Sequence, residues 1–230
     1  MKIAADFNRR AVVHSQSQQW IASPIAGVNR KPLDRVGGEV ARATTIVSYD
    51  AGSEFTEHVH TGGEEFVVLE GIFEDEHGSF PVGSYIRNPP QSKHKPGSKK
   101  GCVMLVKLWQ FQPEDRTHIR LQTEKMGHVQ LQDIKGISIT PLYKDHIEEV
   151  SLLHFDAASE YTLQALGGAE LFVLNGSIQE GADELVKHSW LRTPIHTELT
   201  IKAGQAGAKV WVKTGHLTDV DNQITRVQHA

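Results

Sequence analysis

EHVHTGGEEFVVLEG, residues 57–71, is the stretch on which the reading of this chain turns. His58 and His60 stand at i and i+2. On a strand both imidazoles face the same side, about 7 Å apart along the backbone. Gly62 and Gly63 permit a tight turn, which brings Glu64 back beside the histidines on the next strand. A short apolar run rich in β-forming residues follows and is closed by Gly71. Taken alone, the stretch fits either a metal site or a hairpin with solvated histidines.

The surrounding sequence is built in the same way. ARATTIVSY, SYIRNPP, GCVMLVKLWQF, ELFVLNG, ELTIKAG and AKVWVKTG are short, apolar and punctuated by Gly and Pro, as strands are. No long helical pattern is present, and LDRVGGEVARA is broken by Gly37 and Gly38. The expected class is all-β, a barrel or sandwich. The 230 residues suffice for one large β domain or two small ones. A net charge of −4 gives no basic face for nucleic acid. No segment has the ~18 apolar residues of a transmembrane helix, and the N-terminal residues lack a signal-peptide pattern. Cys102 is the only cysteine, so an internal disulfide and a thiolate cluster are excluded, and a cytoplasmic setting is expected. Any metal must be held by His, Asp or Glu, and the chain has 13 His.

The chain also repeats itself. Residues 62–89, GGEEFVVLEGIFEDEHGSFPVGSYIRNP, align without a gap on residues 167–194, GGAELFVLNGSIQEGADELVKHSWLRTP. Glu65 meets Glu170, Gly71 meets Gly176, Arg87 meets Arg192 and Pro89 meets Pro194. Upstream, GVNRKPL from Gly27 and GISITPL from Gly136 share a G-x4-P-L frame, and DAGSEFT matches DAASEYT. Two copies of one unit follow, with expected boundaries 1–120 and 121–230 and a polar join near residues 112–130. If Glu64 points into a barrel, so do Phe66 and Val68, while Val67 and Leu69 point out, as do Phe172 and Leu174 in the second copy. Such outer faces need cover, from the other unit or from another subunit.

The second copy serves as an internal control. His58 falls on Leu163, His60 on Ala165, Glu64 on Ala169 and His94 on Leu199. All four candidate ligands are lost, whereas Glu65 persists as Glu170. Glu65 is therefore read as structural, and one metal per chain is expected, in the first lobe. His154, His188, His196 and His216 lack H-x-H spacing and are read as surface or loop residues.

The full spacing is G-x5-H-x-H-x3-E-x6-G over Gly52, His58, His60, Glu64 and Gly71, then G-x5-P-x4-H over Gly83, Pro89 and His94. It resembles the two signature motifs of the cupin superfamily. The usual Gly two residues after the proline is Gln91 here, and the usual Asn after the histidine is Ser98. The resemblance implies two tandem cupin barrels, a bicupin, with His58, His60, Glu64 and His94 holding one divalent ion. Such ligands suit Zn, Fe, Ni or Mn. GGEEFVVLEG, DEHG, YIRNPP and GVNRKPL resemble the ChrR-type cupin group, named after the cupin half of an anti-sigma factor; the helical, cysteine-bearing sigma-binding domain of that factor is not expected among these residues. That resemblance implies a sensor or regulatory protein of oxidative-stress type, reading reactive oxygen or a small molecule. The alternative is an Fe(II)-dependent dioxygenase acting on a small diketone or acyl compound, with Phe66, Val68, Tyr85 and Arg87 as candidate pocket residues. A small-molecule ligand or substrate is expected, without nucleic acid or membrane; a homodimer and a protein partner are both compatible with the sequence.

Overall fold

A computed structural model describes residues 1–230. The chain is all-β apart from short 3-10 turns and one helix, Val220–Gln228. This helix is too short to show as a long helical pattern in the sequence: it has only nine residues and buries only Gln223 and Val227. No helix is long and apolar enough to cross a membrane.

Two compact units emerge, and they interleave in sequence. The first comprises Met1–Ala5, Gln19–Lys125 and Asp221–Ala230; the second comprises Asp6–Gln18 and Met126–Val220. A single cut near residue 120 therefore misplaces both termini. Strand Ala11–His14 belongs to the second unit because it pairs antiparallel with Ser189–Thr193. The last residues belong to the first unit. There Gln223 accepts a 2.8 Å hydrogen bond from Arg42 Nε, and Arg226 donates to the Phe111 carbonyl at 2.8 Å.

In the first unit the main sheet runs Lys2–Ile3, Val28–Gly37, Ala41–Tyr49, Cys102–Leu108, Glu64–Asp75, Ser84–Asn88, Ile119–Gln122. The second unit repeats this order with Val129–Gln130, Ile137–Lys144, Glu149–Phe155, Thr197–Thr214, Ala169–Glu180, Ser189–Thr193, Ala11–His14. The G-x4-P-L frame now has a structural meaning. In each unit the pairing slips by one residue after the proline, so Leu33 and Leu142 are the extra residues of equivalent β-bulges.

Side-chain alternation follows the sequence reading. Phe66 and Val68 lie in an inner cluster with Phe73, Ile86, Cys102, Met104 and Val106. In the second unit Leu171 and Val173 join the inner cluster. The outward residues Val67, Leu69 and Phe172 are nevertheless buried, so these outer faces are not open to water. Outward polar residues are buried too, and they are paired. Glu65 accepts a 2.6 Å hydrogen bond from the Tyr85 hydroxyl and lies 3.6 Å from Arg87. Its counterpart Glu170 accepts from Trp190 Nε1 at 3.1 Å and lies 2.9 Å from His216 Nε2. Both carboxylates thus organise the same spot in their own unit. His216 is fully buried in this network, which corrects its reading as a surface histidine. His154 likewise is half-buried within strand Glu149–Phe155, 3.0 Å from Thr140 Oγ1.

Candidate metal centre

The first unit carries a small two-stranded sheet, His58–His60 paired antiparallel with Ser92–His94. His94 stands directly across from His58 in this register, and His60 across from Ser92. Cross-strand partners share a face, as do residues i and i+2. All three imidazoles therefore converge, with ring centroids 4.7–5.2 Å apart.

Glu64 enters from the next strand. The turn between His60 and Glu64 closes through Gly63 N–H to the His60 carbonyl at 3.2 Å. Gly63 has φ +78°, and a Cβ at Gly62 would sit 2.1 Å from the Trp109 ring, so this turn admits little but glycine. Glu64 Oε2 lies 3.3 Å from His60 Nε2 and 3.7 Å from His94 Nε2, and accepts from Asn88 Nδ2 at 3.2 Å. The two Nε2 atoms of His60 and His94 are 2.9 Å apart. Two donors each about 2.1 Å from one ion stand about 3.0 Å apart at a right angle and about 3.4 Å apart at the tetrahedral angle. The His60–His94 and His60–Glu64 spacings meet that requirement, and the ligand atoms of His58, His60 and His94 all lie within 4.8 Å of one another, a grouping that could hold a metal ion.

The second ring nitrogens are partly fixed as well. His58 Nδ1 lies 3.1 Å from the Thr56 carbonyl, and His94 Nδ1 lies 3.4 Å from Asp75 Oδ2. Asp75 was not foreseen as a site residue, although it belongs to the DEHG segment; partners of this kind orient ligating imidazoles. The electrostatics divide the triad. Burial lowers the His60 pKa, with the neighbouring His94 and His58 pushing the same way against Glu64. Burial also opposes charge on His94, but the Asp75 and Glu64 carboxylates outweigh it and its pKa is raised.

A cavity of about 740 Å³ opens on this cluster; His58, His60 and Glu64 lie on its wall, within the usual volume range of small-molecule sites. Val28, Val47, Tyr49, Phe55 and Trp109 supply apolar surface, and Arg30 and Arg35 supply positive charge. None of the four residues expected in a pocket lines it. Phe66 and Val68 do point inward but are consumed by the core cluster. Tyr85 and Arg87 pair across the sheet with the outward Val67 and Glu65, so both face away from the cavity. Arg87 is held there by Asp115 at 2.9 Å.

The second unit keeps the frame and drops the donors. Leu163 stands opposite Leu199 where the first unit sets His58 opposite His94. Leu199, Ala165 and Ala169 are fully buried in its apolar core, with Leu163 packed against them. The turn at Gln91, whose usual glycine is missing, survives with Gln91 itself at φ +71°.

Residues 8–112 match the family model described as the ChrR cupin-like domain. The chain contains a cupin-like domain. Solved structures agree on the cupin fold across both units. A proposed dioxygenase from Nostoc punctiforme is similar with TM-score 0.72 and 16% identity, covering 89% of this chain and 82% of that one. YlbA from Escherichia coli is similar with TM-score 0.70 and 12% identity, covering 92% and 93%. The bacterial pirin YhhW from Escherichia coli, solved in complex with nickel(II), is similar with TM-score 0.66 and 12% identity, covering 90% and 98%. No curated protein matches the chain.

Proposed function

We propose that this chain is a ChrR-type bicupin with one mononuclear metal site, in its first barrel, held by His58, His60, Glu64 and His94. It brings a small organic molecule to that ion as a metal-dependent oxidoreductase of dioxygenase type. The observation that carries this reading is the cavity, which opens on the cluster and is large enough for a substrate. A purely structural ion would be sealed by its ligands and need no such space.

His58, His60, Glu64 and His94 are the residues that would hold the ion, a donor set of three imidazoles and one carboxylate that suits a divalent transition metal. A bound divalent ion there would supply Lewis acidity, and as Fe(II) it would supply electrons to oxygen. The chain's own residues do the rest. Asp75 sets a carboxylate beside the His94 ring, Asn88 restrains Glu64, and the apolar part of the wall receives the body of the ligand. In a dioxygenation both oxygen atoms end in the product, so no separate reductant is required. The proposed Nostoc dioxygenase supports the same class.

A second reading has the same site sensing reactive oxygen or a small oxidised molecule and acting through a protein partner. It is favoured by the ChrR cupin-like match over residues 8–112. Oxygen uptake separates the two. Protein loaded anaerobically with Fe(II) is exposed to oxygen with a panel of small diketones and acyl thioesters. The enzyme reading expects uptake stoichiometric with substrate loss. No uptake above the Glu64→Ala variant with any member would defeat it and leave the sensor reading.

A further inference from the structure

The cavity holds a cation that the metal site does not use. Arg30 and Arg35 lie five residues apart on strand Val28–Gly37 and would face opposite sides of a regular strand. The bulge at Leu33 cancels this alternation. Arg30 pairs with Val47 and Arg35 with Ala43, positions of equal parity on the neighbouring strand, and both arginines line the cavity.

Their partners are few. The Arg30 guanidinium makes no hydrogen bond or ion pair. Arg35 donates only to the backbone carbonyls of Gly38 and Glu39. Burial lowers the Arg35 pKa and the charge of Arg30 lowers it further, with Glu39 opposing. Two half-buried cations within reach of each other are an unbalanced arrangement, and an anion relieves it. Of the carboxylates on the wall, Glu39 acts on Arg35, and none forms an ion pair with Arg30. Glu39 is exposed, Glu54 lies 3.9 Å from Lys95, and Glu64 is held among the histidines. Tyr49 is within electrostatic reach of both Glu64 and Arg30, so the cation and the candidate metal ligand share one cavity region.

The second unit provides the comparison. Its equivalent bulge at Leu142 aligns Arg30 with Ile139 and Arg35 with Lys144. Ile139 packs against the apolar core, and Lys144 is exposed and paired with Glu149 at 2.7 Å. The unit that lost the metal donors has also lost the cavity cation. A merely structural arginine, such as Arg87 with its counterpart Arg192, persists in both.

We propose that Arg30, assisted by Arg35, is a carboxylate-binding subsite, and that the ligand of this cavity is a small organic acid with an apolar body. The proposal rests on the metal-site reading for where the rest of the ligand goes: an oxygen of the acid faces the ion while the carboxylate faces Arg30. An apolar body suits Val28, Val47 and Phe55 on the wall. A guanidinium is the side chain best matched to a carboxylate, through two parallel hydrogen bonds.

The test is calorimetric titration of Ni(II)-loaded protein with 4-methyl-2-oxopentanoate and with its neutral methyl ester, for wild type and Arg30→Gln, with metal content measured on the same samples. Wild type is expected to bind the acid at least tenfold more tightly than the ester. Arg30→Gln should weaken the acid by about 10- to 100-fold, the order of a hydrogen bond to a charged group, and leave both the ester and the metal content unchanged. Equal binding of acid and ester, an Arg30→Gln variant that binds the acid like wild type, or no binding of either compound overturns the proposal. If wild type takes up no metal, the metal-site reading fails separately. The acid-to-ester ratio of the metal-free protein then decides the role of Arg30.

Discussion

Asp75→Asn separates an oriented metal site from a chance meeting of histidines. The Asp75 side chain is almost wholly buried, and Oδ2 lies 3.4 Å from His94 Nδ1. Asparagine keeps the shape and the oxygen that accepts the His77 backbone N–H at 2.7 Å. It removes the charge that holds the His94 ring with Nε2 toward His60 and Glu64. Loss of such a partner weakens metal binding by about 10- to 100-fold, or about 1.4–2.7 kcal/mol. The turn is retained, so the fold should be unaffected. The assay is a competition titration of Ni(II) or Zn(II) against a chromophoric chelator, alongside circular dichroism and thermal melting. Unchanged affinity in a well-folded Asp75→Asn protein would refute the argument that Asp75 acts through His94.

Three further outcomes are expected. Gln91→Gly should raise stability by up to about 1 kcal/mol in chemical denaturation, because Gln91 is exposed and holds a left-handed conformation that glycine adopts without strain; no gain would show that the turn carries no strain. Glu65→Ala should cost about 1–3 kcal/mol, since it leaves the buried Tyr85 hydroxyl without its acceptor and takes one of two carboxylates from Arg87, which keeps Asp115; no measurable loss would contradict the structural role given to Glu65. Burial pushes the Cys102 thiol up to about 11, leaving about a thousandth as thiolate at pH 8. Iodoacetamide should therefore label Cys102 slowly in native protein, faster as pH rises, and rapidly once the chain is unfolded; equal native and unfolded rates would overturn this.

What could be read from the sequence was local or repeated. His58, His60 and Glu64 share one strand-turn-strand unit, so spacing alone predicts their convergence, and His94 follows from the second spacing. The duplication is legible because both units keep the same turns, and Leu163 opposite Leu199 shows that the alignment tracks structural equivalence. What escaped were effects of pairing partners and bulges. Tyr85 and Arg87 were placed in the pocket, but their facing is set by the outward Val67 and Glu65 across the sheet. Arg30 and Arg35, five positions apart, would face opposite sides of a regular strand, and the bulge at Leu33 brings them to one side. The P-L frame marks that bulge, yet nothing in two letters states that alternation reverses there. The joining of Ala11–His14 to Ser189–Thr193 has no local signature at all, because the partners are some 180 positions apart.

Metal content decides whether the histidine cluster of the first unit is a metal centre. Protein incubated with excess Ni(II), Zn(II) or Fe(II), desalted, and measured by elemental mass spectrometry is predicted to retain one ion per chain. His58→Ala and His94→Ala should retain far less, and Leu163→Ala, at the equivalent position of the second unit, should retain as much as wild type. Wild type holding no more metal than the two histidine variants would contradict the central claim.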